Sequence, residues 1–262
     1  MTELTFHSDL HLPIEHFSLQ NQYAKKAIEI SNIPLDQALM EFTQYWRRIN
    51  NIATLRANKM DWSFDPKTPH WQELRDRVNN CEPADIVAYE LYIRNNNSSE
   101  NGKEYFGCFR YDFIPQTDNE RGVIRIHFKN RDTSDKGSLS KERQKVRFEE
   151  LKLMFESIRK YYPQAMVVQG GSWLYNLKSY QRLFPDTFIA NMKVEEVPFP
   201  RSSGIWGQFL NNEGNVSETM KHTFLNRVNN AKTIDQLLQC FEFKILFTKT
   251  QIENFYGHFG IL

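Results

Sequence analysis

The sequence predicts an α+β protein: a mixed, largely antiparallel sheet flanked by helices, with an extra helical segment at the N-terminal end. Apolar residues recur at three- and four-residue spacing in some stretches and alternate singly in others, the two periodicities of helix and strand. The alternating runs first follow one another across short polar turns, as in an antiparallel meander, and later interleave with helices. The means to build a core are present: of 262 residues, 40% are hydrophobic, among them 20 Phe, 11 Tyr and 5 Trp, and each aromatic can bury on the order of 150–250 Å². One folded unit is expected, with residues 1–84 as an arm and helical segment packed on a main domain of residues 85–262.

Each element has a local reason. Residues 1–34 show no sustained period and are interrupted by Pro13 and Pro34, which predicts an extended arm with one short helix near Gln20 to Ile30. Asp36 can cap a helix reaching about Ile52, because Leu39, Phe42, Trp46 and Ile49 fall on one face. The segment Trp62 to Leu74 sets two prolines between two tryptophans, and Thr68 followed by Pro69 opens a helix to Asn79. From Asp85 the pattern alternates through Val87, Tyr89, Leu91 and Ile93, the signature of a strand ending at Arg94. Strands from Tyr105 to Ile114 and from Gly122 to Phe128 complete a three-stranded meander. Ser138 or Ser140 then caps a long helix with a buried face of Phe148, Leu151, Met154, Phe155, Ile158 and Tyr162. A strand from Ala165 to Gln169 is turned by Gly170, Gly171 and Ser172 into a helix from Trp173 to Phe184. The remainder reads as a strand from Phe188 to Val197, a Trp206 segment, helices from Ser217 to Val228 and Thr233 to Cys240, a strand from Phe241 to Phe247, and a closing helix from Thr250 to His258.

Charge and cysteine content narrow the function. Lys and Arg total 33 against 32 Asp and Glu, a net charge of +1, which gives no global case for nucleic acid or a membrane surface. No stretch approaches about 18 apolar residues. Cys81, Cys108 and Cys240 are scattered and lack C-x-x-C spacing, so neither a disulfide framework nor a thiolate zinc site is expected, and a cytoplasmic protein is. The seven histidines are dispersed; His7, His11 and His16 have no second shell in sequence, and no metal site is expected.

Three constellations can carry chemistry. Strand alternation gives Arg110 and Asp112 one face, Arg125 and His127 another, and Glu90 and Arg94 a third; paired as neighbours they form one charged surface on which a histidine beside a carboxylate is a general base. The same pattern also describes the wet side of an ordinary antiparallel sheet. The loop Asn130 to Arg147 sets Arg131, Lys136, Lys141, Arg143, Lys145 and Arg147 against Asp132, Asp135 and Glu142. Lying between strand and helix, with Gly137 and Ser138 in it, it can hold a phosphate or serve as a solvated, serine-capped loop. In Val167 to Pro185, Ser172 is read as a helix cap, since a nucleophile elbow needs glycine where Leu174 stands. Trp173, Tyr175, Asn176 and Tyr180 can line a small-molecule cleft or belong to the core.

The stretch Gly122 to Pro185 resembles the acyltransferase-like domains of the GNAT N-acetyltransferase superfamily, in particular a bacterial GNAT-like C-terminal domain. The matching features are Ile126-His127-Phe128, Gly137-Ser138-Leu139, the helix Glu142 to Tyr162, and Ser172-Trp173-Leu174. Nearly the whole chain is also similar to a family of uncharacterised bacterial cytoplasmic proteins, through DQALMEFTQYW, FDPKTPHW, GGSWLYNL, IWGQFLNNEG and ENFYGHFGIL. The first resemblance implies a GNAT-like sheet and acyl transfer from acyl-coenzyme A to an amine. Arg131, Lys136, Gly137, Ser138 and Arg143 would then hold the cofactor, His127 or Asp112 would take the amine proton, and Tyr175 would protonate the leaving thiolate. Where catalytic members carry a pyrophosphate signature of type Arg/Gln-x-x-Gly-x-Gly/Ala, this chain has DTSDKGS after Arg131. The alternative is a non-catalytic GNAT-like module that holds a small ligand or peptide with Ser172, Trp173, Asn176, Tyr180 and Trp206.

Overall fold

A computed structural model describes residues 11–50, 65–96, 104–115, 122–132, 134, 136–194 and 204–261. The helices α1 (Ile14–Ser31), α2 (Leu35–Phe42), α3 (Tyr45–Ile49), α4 (Pro69–Asn79) and α5 (Ala84–Asn96) come first. Then follow β1 (Phe109–Ile114), β2 (Gly122–Phe128), α6 (Gln144–Tyr161), β3 (Ala165–Ser172), α7 (Lys178–Gln181), α8 (Asp186–Ala190) and β4 (Lys193–Val194). The chain closes with α9 (Glu218–Asn230), α10 (Ile234–Leu238), β5 (Leu246–Gln251) and α11 (Ile252–Phe259). The class is α+β, with a mixed five-stranded sheet.

Packing divides the chain into two compact units. One spans His11–Asn101 and Val197–Phe243 and is helical over its described residues; the other includes Gly102–Glu196 and Lys244–Leu262 and contains the whole sheet. The boundary expected between residues 84 and 85 therefore falls at the first residues of α5, inside the helical unit. Its basis was the strand from Asp85 to Arg94, and that segment is a helix. The buried residues Ala84, Val87, Ala88, Leu91 and Tyr92 sit at i, i+3, i+4, i+7 and i+8, so the helical stripe was present beneath the alternation. Glu90 and Arg94 accordingly leave the expected charged sheet surface; on α5 they pair with Arg77 and Glu73 of α4.

The arm expected at the N-terminal end is, from Ile14 onward, an 18-residue helix. Its period was masked because it buries polar His16, Gln20 and Asn21 along with Phe17, Tyr23 and Ala27. The helix expected from Asp36 breaks into α2 and α3. At the break the Thr43 hydroxyl donates back to the Leu39 carbonyl and the Gln20 side chain accepts from Gln44 N–H at 2.7 Å, so Gln20 replaces a helical partner. His16 is buried with no hydrogen-bond partner on either ring nitrogen. Burial, then the charge of Arg48, lowers its pKa to about 3, and the ring stays neutral.

In the sheet unit the strand order is β1-β2-β3-β5-β4. β1 pairs β2 antiparallel, β2 pairs β3 parallel, and β3 and β4 each pair β5 antiparallel. Gly170, Gly171 and Ser172 continue β3 instead of turning it. Their glycines serve close approach: a Cβ on Gly170 would collide with the Tyr175 hydroxyl, and one on Gly171 would meet the Phe247 ring at 2.6 Å. The helix expected from Trp173 is a 3-10 turn, Trp173–Asn176, followed by short α7. The strand expected from Phe188 to Val197 is α8 followed by β4, with residues 195–197 outside the described set. The strand expected from Phe241 begins at Leu246 and runs to Gln251. Leu151, Met154, Phe155 and Ile158 of α6 pack with Phe255 and Phe259 of α11, with Phe155 stacked on Phe255 at 4.5 Å. Burying each such side chain contributes about 1.5–3 kcal/mol.

Candidate functional site

The parallel pairing of β2 with β3 stops halfway. Its last partners are Arg125 and Gln169, yet β2 runs on through Ile126, His127 and Phe128 and β3 through Gly170, Gly171 and Ser172. The outer half of β2 stays laddered to β1, and the outer half of β3 to β5. Each strand thus keeps one partner while its inner edge parts from the other, forming a wedge. On the packed face Phe128 meets Tyr180 at 5.7 Å, and Tyr180 meets Tyr175 at 5.1 Å.

The opposite face is polar. Register sets Arg110 across from His127 and Asp112 across from Arg125, and directly opposed residues share a sheet face. Asp112 accepts from Arg110 Nη1 at 2.6 Å and lies 2.7 Å from His127 Nε2. Burial alone pushes the Asp112 carboxyl up, but the hydrogen bond and charge of His127, with Arg110, outweigh it and hold the group well below the usual carboxylate range. An ionised carboxylate only accepts, so Nε2 carries the hydrogen and, in the neutral ring, Nδ1 is the basic nitrogen. Arg110 thus anchors Asp112 and Asp112 orients His127, an arrangement in which the imidazole can accept a proton. The row extends across the sheet, since Arg125 stands opposite Gln169 and Gln169 opposite Lys249.

The expected anion loop is arranged differently. Asp132 accepts from Arg143 Nε at 2.6 Å and lies 3.2 Å from Arg147, which also meets Glu150 at 2.8 Å. Arg147, only 2% exposed, additionally contacts the Cys108 sulfur. Arg143 and Arg147 are therefore neutralised internally. Burial opposes ionisation of Asp132, but hydrogen bonds from Ser134 and Arg143 prevail and lower its pKa. Glu150 and Cys108 are both shifted upward, by burial. Gly107, at φ +59°, passes directly beneath the Glu150 carboxyl, where any Cβ would collide. Ser138 is buried and does not cap α6: the N-cap is Arg143, without a side-chain cap. Gly137 closes a turn by accepting from Ser140 N–H, and Arg182 donates to the Leu139 and Ser140 carbonyls at 3.0 and 2.7 Å. Arg131 lies over the Tyr105 ring at 4.1 Å, and Lys136 is exposed.

The expected aromatic cleft does not assemble as one surface. Tyr175 and Tyr180 are core residues; burial raises both above the ordinary tyrosine value, the nearby Tyr180 hydroxyl adding to the rise at Tyr175 and the Tyr175 hydrogen bond opposing it at Tyr180. A tyrosine held so far above a thiol, near 8.5, is mismatched as its acid. Trp206 is a core residue of the helical unit, against Tyr23, Phe224 and Phe241. Trp173 is half-buried in the 3-10 turn, where Ser172 accepts from Leu174 N–H as the cap anticipated from sequence. Asn176 is spent on structure, donating to the Trp173 and Lys244 carbonyls at 2.6 and 2.8 Å. Sequence reasoning missed the Cys108–Asp132–Arg147–Glu150 cluster; only the i, i+3 pair of Arg147 and Glu150 was visible as a pattern.

Among the described residues no group of three or more His, Cys, Asp or Glu gathers as a metal site, and no helix is long and apolar enough to cross a membrane. Comparison with known protein families, curated proteins and solved structures returns no match to this chain.

Proposed function

We propose that the protein is a GNAT-like acyltransferase that moves an acyl group from a thioester donor, such as acyl-coenzyme A, to an amine. The observation that carries the reading is the wedge between β2 and β3. Strand edges released from their ladder can pair with the amides of an extended ligand, as in strand addition, and the pantetheine arm of coenzyme A is such a ligand. The resemblance of Gly122 to Pro185 supports the same reading, as does a parallel pair flanked on both sides by antiparallel strands.

A bound thioester supplies an activated acyl carbon. The amine nitrogen forms the new C–N bond, the C–S bond breaks with its electron pair on sulfur, and the amine proton passes to His127 Nδ1. Asp112, anchored by Arg110, then stabilises the imidazolium, and the released thiolate recovers that proton as free thiol. The phosphate end of the cofactor fits less well than the thioester end: of the residues expected to hold it, Arg143 is tied to Asp132 and Ser138 is buried. That internal neutralisation favours the second reading, a non-catalytic GNAT-like module for a small ligand or peptide. A cytoplasmic location belongs to the proposal, in keeping with free Cys81, Cys108 and Cys240.

Thermal shift with acetyl-coenzyme A, longer acyl-coenzyme A and free coenzyme A tests the reading. Stabilisation is expected, about 2.7 kcal/mol at a hundredfold excess over Kd, reduced by Arg131→Ala and untouched by Arg94→Ala. Thiol release in the presence of amines should fall roughly 10²–10⁴-fold in His127→Ala. A flat response at millimolar ligand removes the acyl-transfer reading.

A further inference from the structure

The charged row on the polar face bears on which amine is used, and it rests on the acyl-transfer reading above. Arg125, Gln169 and Lys249 stand side by side on β2, β3 and β5, spaced about 4.8 Å from strand to strand. Arg110 is committed to Asp112. Arg125 differs: it is half-buried, yet its guanidinium makes no ion pair or hydrogen bond among the described residues. Lys249, exposed at the far end of the row, has no side-chain partner there either. Withdrawing a cation partly from water costs free energy unless an anion compensates. A planar guanidinium backed by an amide and an ammonium is suited to a carboxylate.

We propose that Arg125, Gln169 and Lys249 bind a carboxylate on the acceptor, so that the substrate is an amine that also carries a carboxylate. Arg125 and His127 are two residues apart on β2 and share its polar face, which separates them by about 6.6 Å along the strand. An ω-amino acid can span that separation between base and guanidinium with its two ends, whereas glycine is too short. The acceptor is therefore oriented before reaction, its carboxylate on Arg125 and its nitrogen at His127 Nδ1.

Isothermal titration on the full chain provides the test, with γ-aminobutyrate, 4-aminobutanamide, butyrate and 3-aminopropyl phosphate as probes. γ-Aminobutyrate is expected to bind at least tenfold more tightly than its amide. Arg125→Gln should weaken γ-aminobutyrate by roughly 10–100-fold and leave the amide unchanged, whereas Arg125→Lys should retain the preference for the carboxylate. The melting temperature of each variant shows that it is folded. Equal affinity for acid and amide, an indifferent Arg125→Gln, or no binding of any probe overturns the inference. Tighter binding of the phosphate probe overturns the assignment to a carboxylate. Thiol release from acetyl-coenzyme A separates the two levels of argument. Carboxylate-selective, Arg125-dependent binding without thiol release removes acyl transfer and keeps the anion site. Thiol release that is indifferent to the carboxylate keeps acyl transfer and removes the anion site.

Discussion

Acid should destabilise the helical unit through His16. The ring is buried, neither nitrogen is hydrogen-bonded, and its pKa is lowered to about 3, while in the unfolded chain it titrates near 6.5. Because the folded value is the lower one, the stabilisation is fully present above pH 6.5 and is lost as pH falls: the unfolded state takes up a proton that the folded state refuses. At about 1.36 kcal/mol per unit, the loss is about 1.4 kcal/mol at pH 5.5 and about 2.7 kcal/mol at pH 4.5. Those are large fractions of a typical stability of 5–15 kcal/mol. Urea unfolding followed by circular dichroism at pH 7.5, 5.5 and 4.5, on the wild type and His16→Met, isolates the effect, since Asp112 and the other carboxylates are common to both proteins. The wild type should lose those amounts in excess of the variant. Parallel pH dependences for the two proteins would refute the reasoning.

Other perturbations have equally definite outcomes. Gly170→Ala forces a methyl group into the Tyr175 hydroxyl and should cost about 1–3 kcal/mol; Tyr175→Phe in the same chain should recover part of the lost melting temperature. Asp132→Asn leaves Arg147 with Glu150 as its remaining buried carboxylate, so a loss near the lower end of the roughly 3–5 kcal/mol for a broken buried pair should appear in urea titration. Phe255→Ala removes the ring stacked on Phe155 and should cost about 3–5 kcal/mol; a loss below 1 kcal/mol would show that this contact is not part of the rigid core.

The helix from Pro69 to Asn79, the long helix that ends near Tyr162 and the strand from Gly122 to Phe128 were legible, and with them the fold class, because one local signal dominated each: a proline at N1, a long apolar face, a clean alternation. The segment from Asp85 was misread because Ala88 and Tyr92 are apolar as well, so period 2 and period 3.6 both fit and only tertiary packing decided between them. Of α1 only the later part was legible, as the short helix near Gln20 to Ile30, for the opposite reason: its buried side includes His16, Gln20 and Asn21, whose burial depends on partners elsewhere in the chain, such as Asp85 for Asn21. Within the candidate site, strand alternation did bring His127, Asp112 and Arg110 to one face. The pairing of Asp132 with Arg143 and Arg147 was not legible, since a loop's charge count does not say which charges are already satisfied. Nor could the local pattern around Trp206 show that it belongs to a different unit from Trp173.

Neither unit is a continuous length of chain, and this has a consequence for synthesis. The Tyr23 hydroxyl finds its acceptor on Leu237, and its ring waits for Trp206, Phe224 and Phe241. In the other unit, β3 acquires its antiparallel neighbour only when residues 246–251 arrive. A growing chain must therefore carry two incomplete, aromatic-rich interiors until residues 237–251 have left the ribosome. Contacts of such long range form slowly, and in that interval the open edge of β3 is the surface most exposed to pairing with another chain.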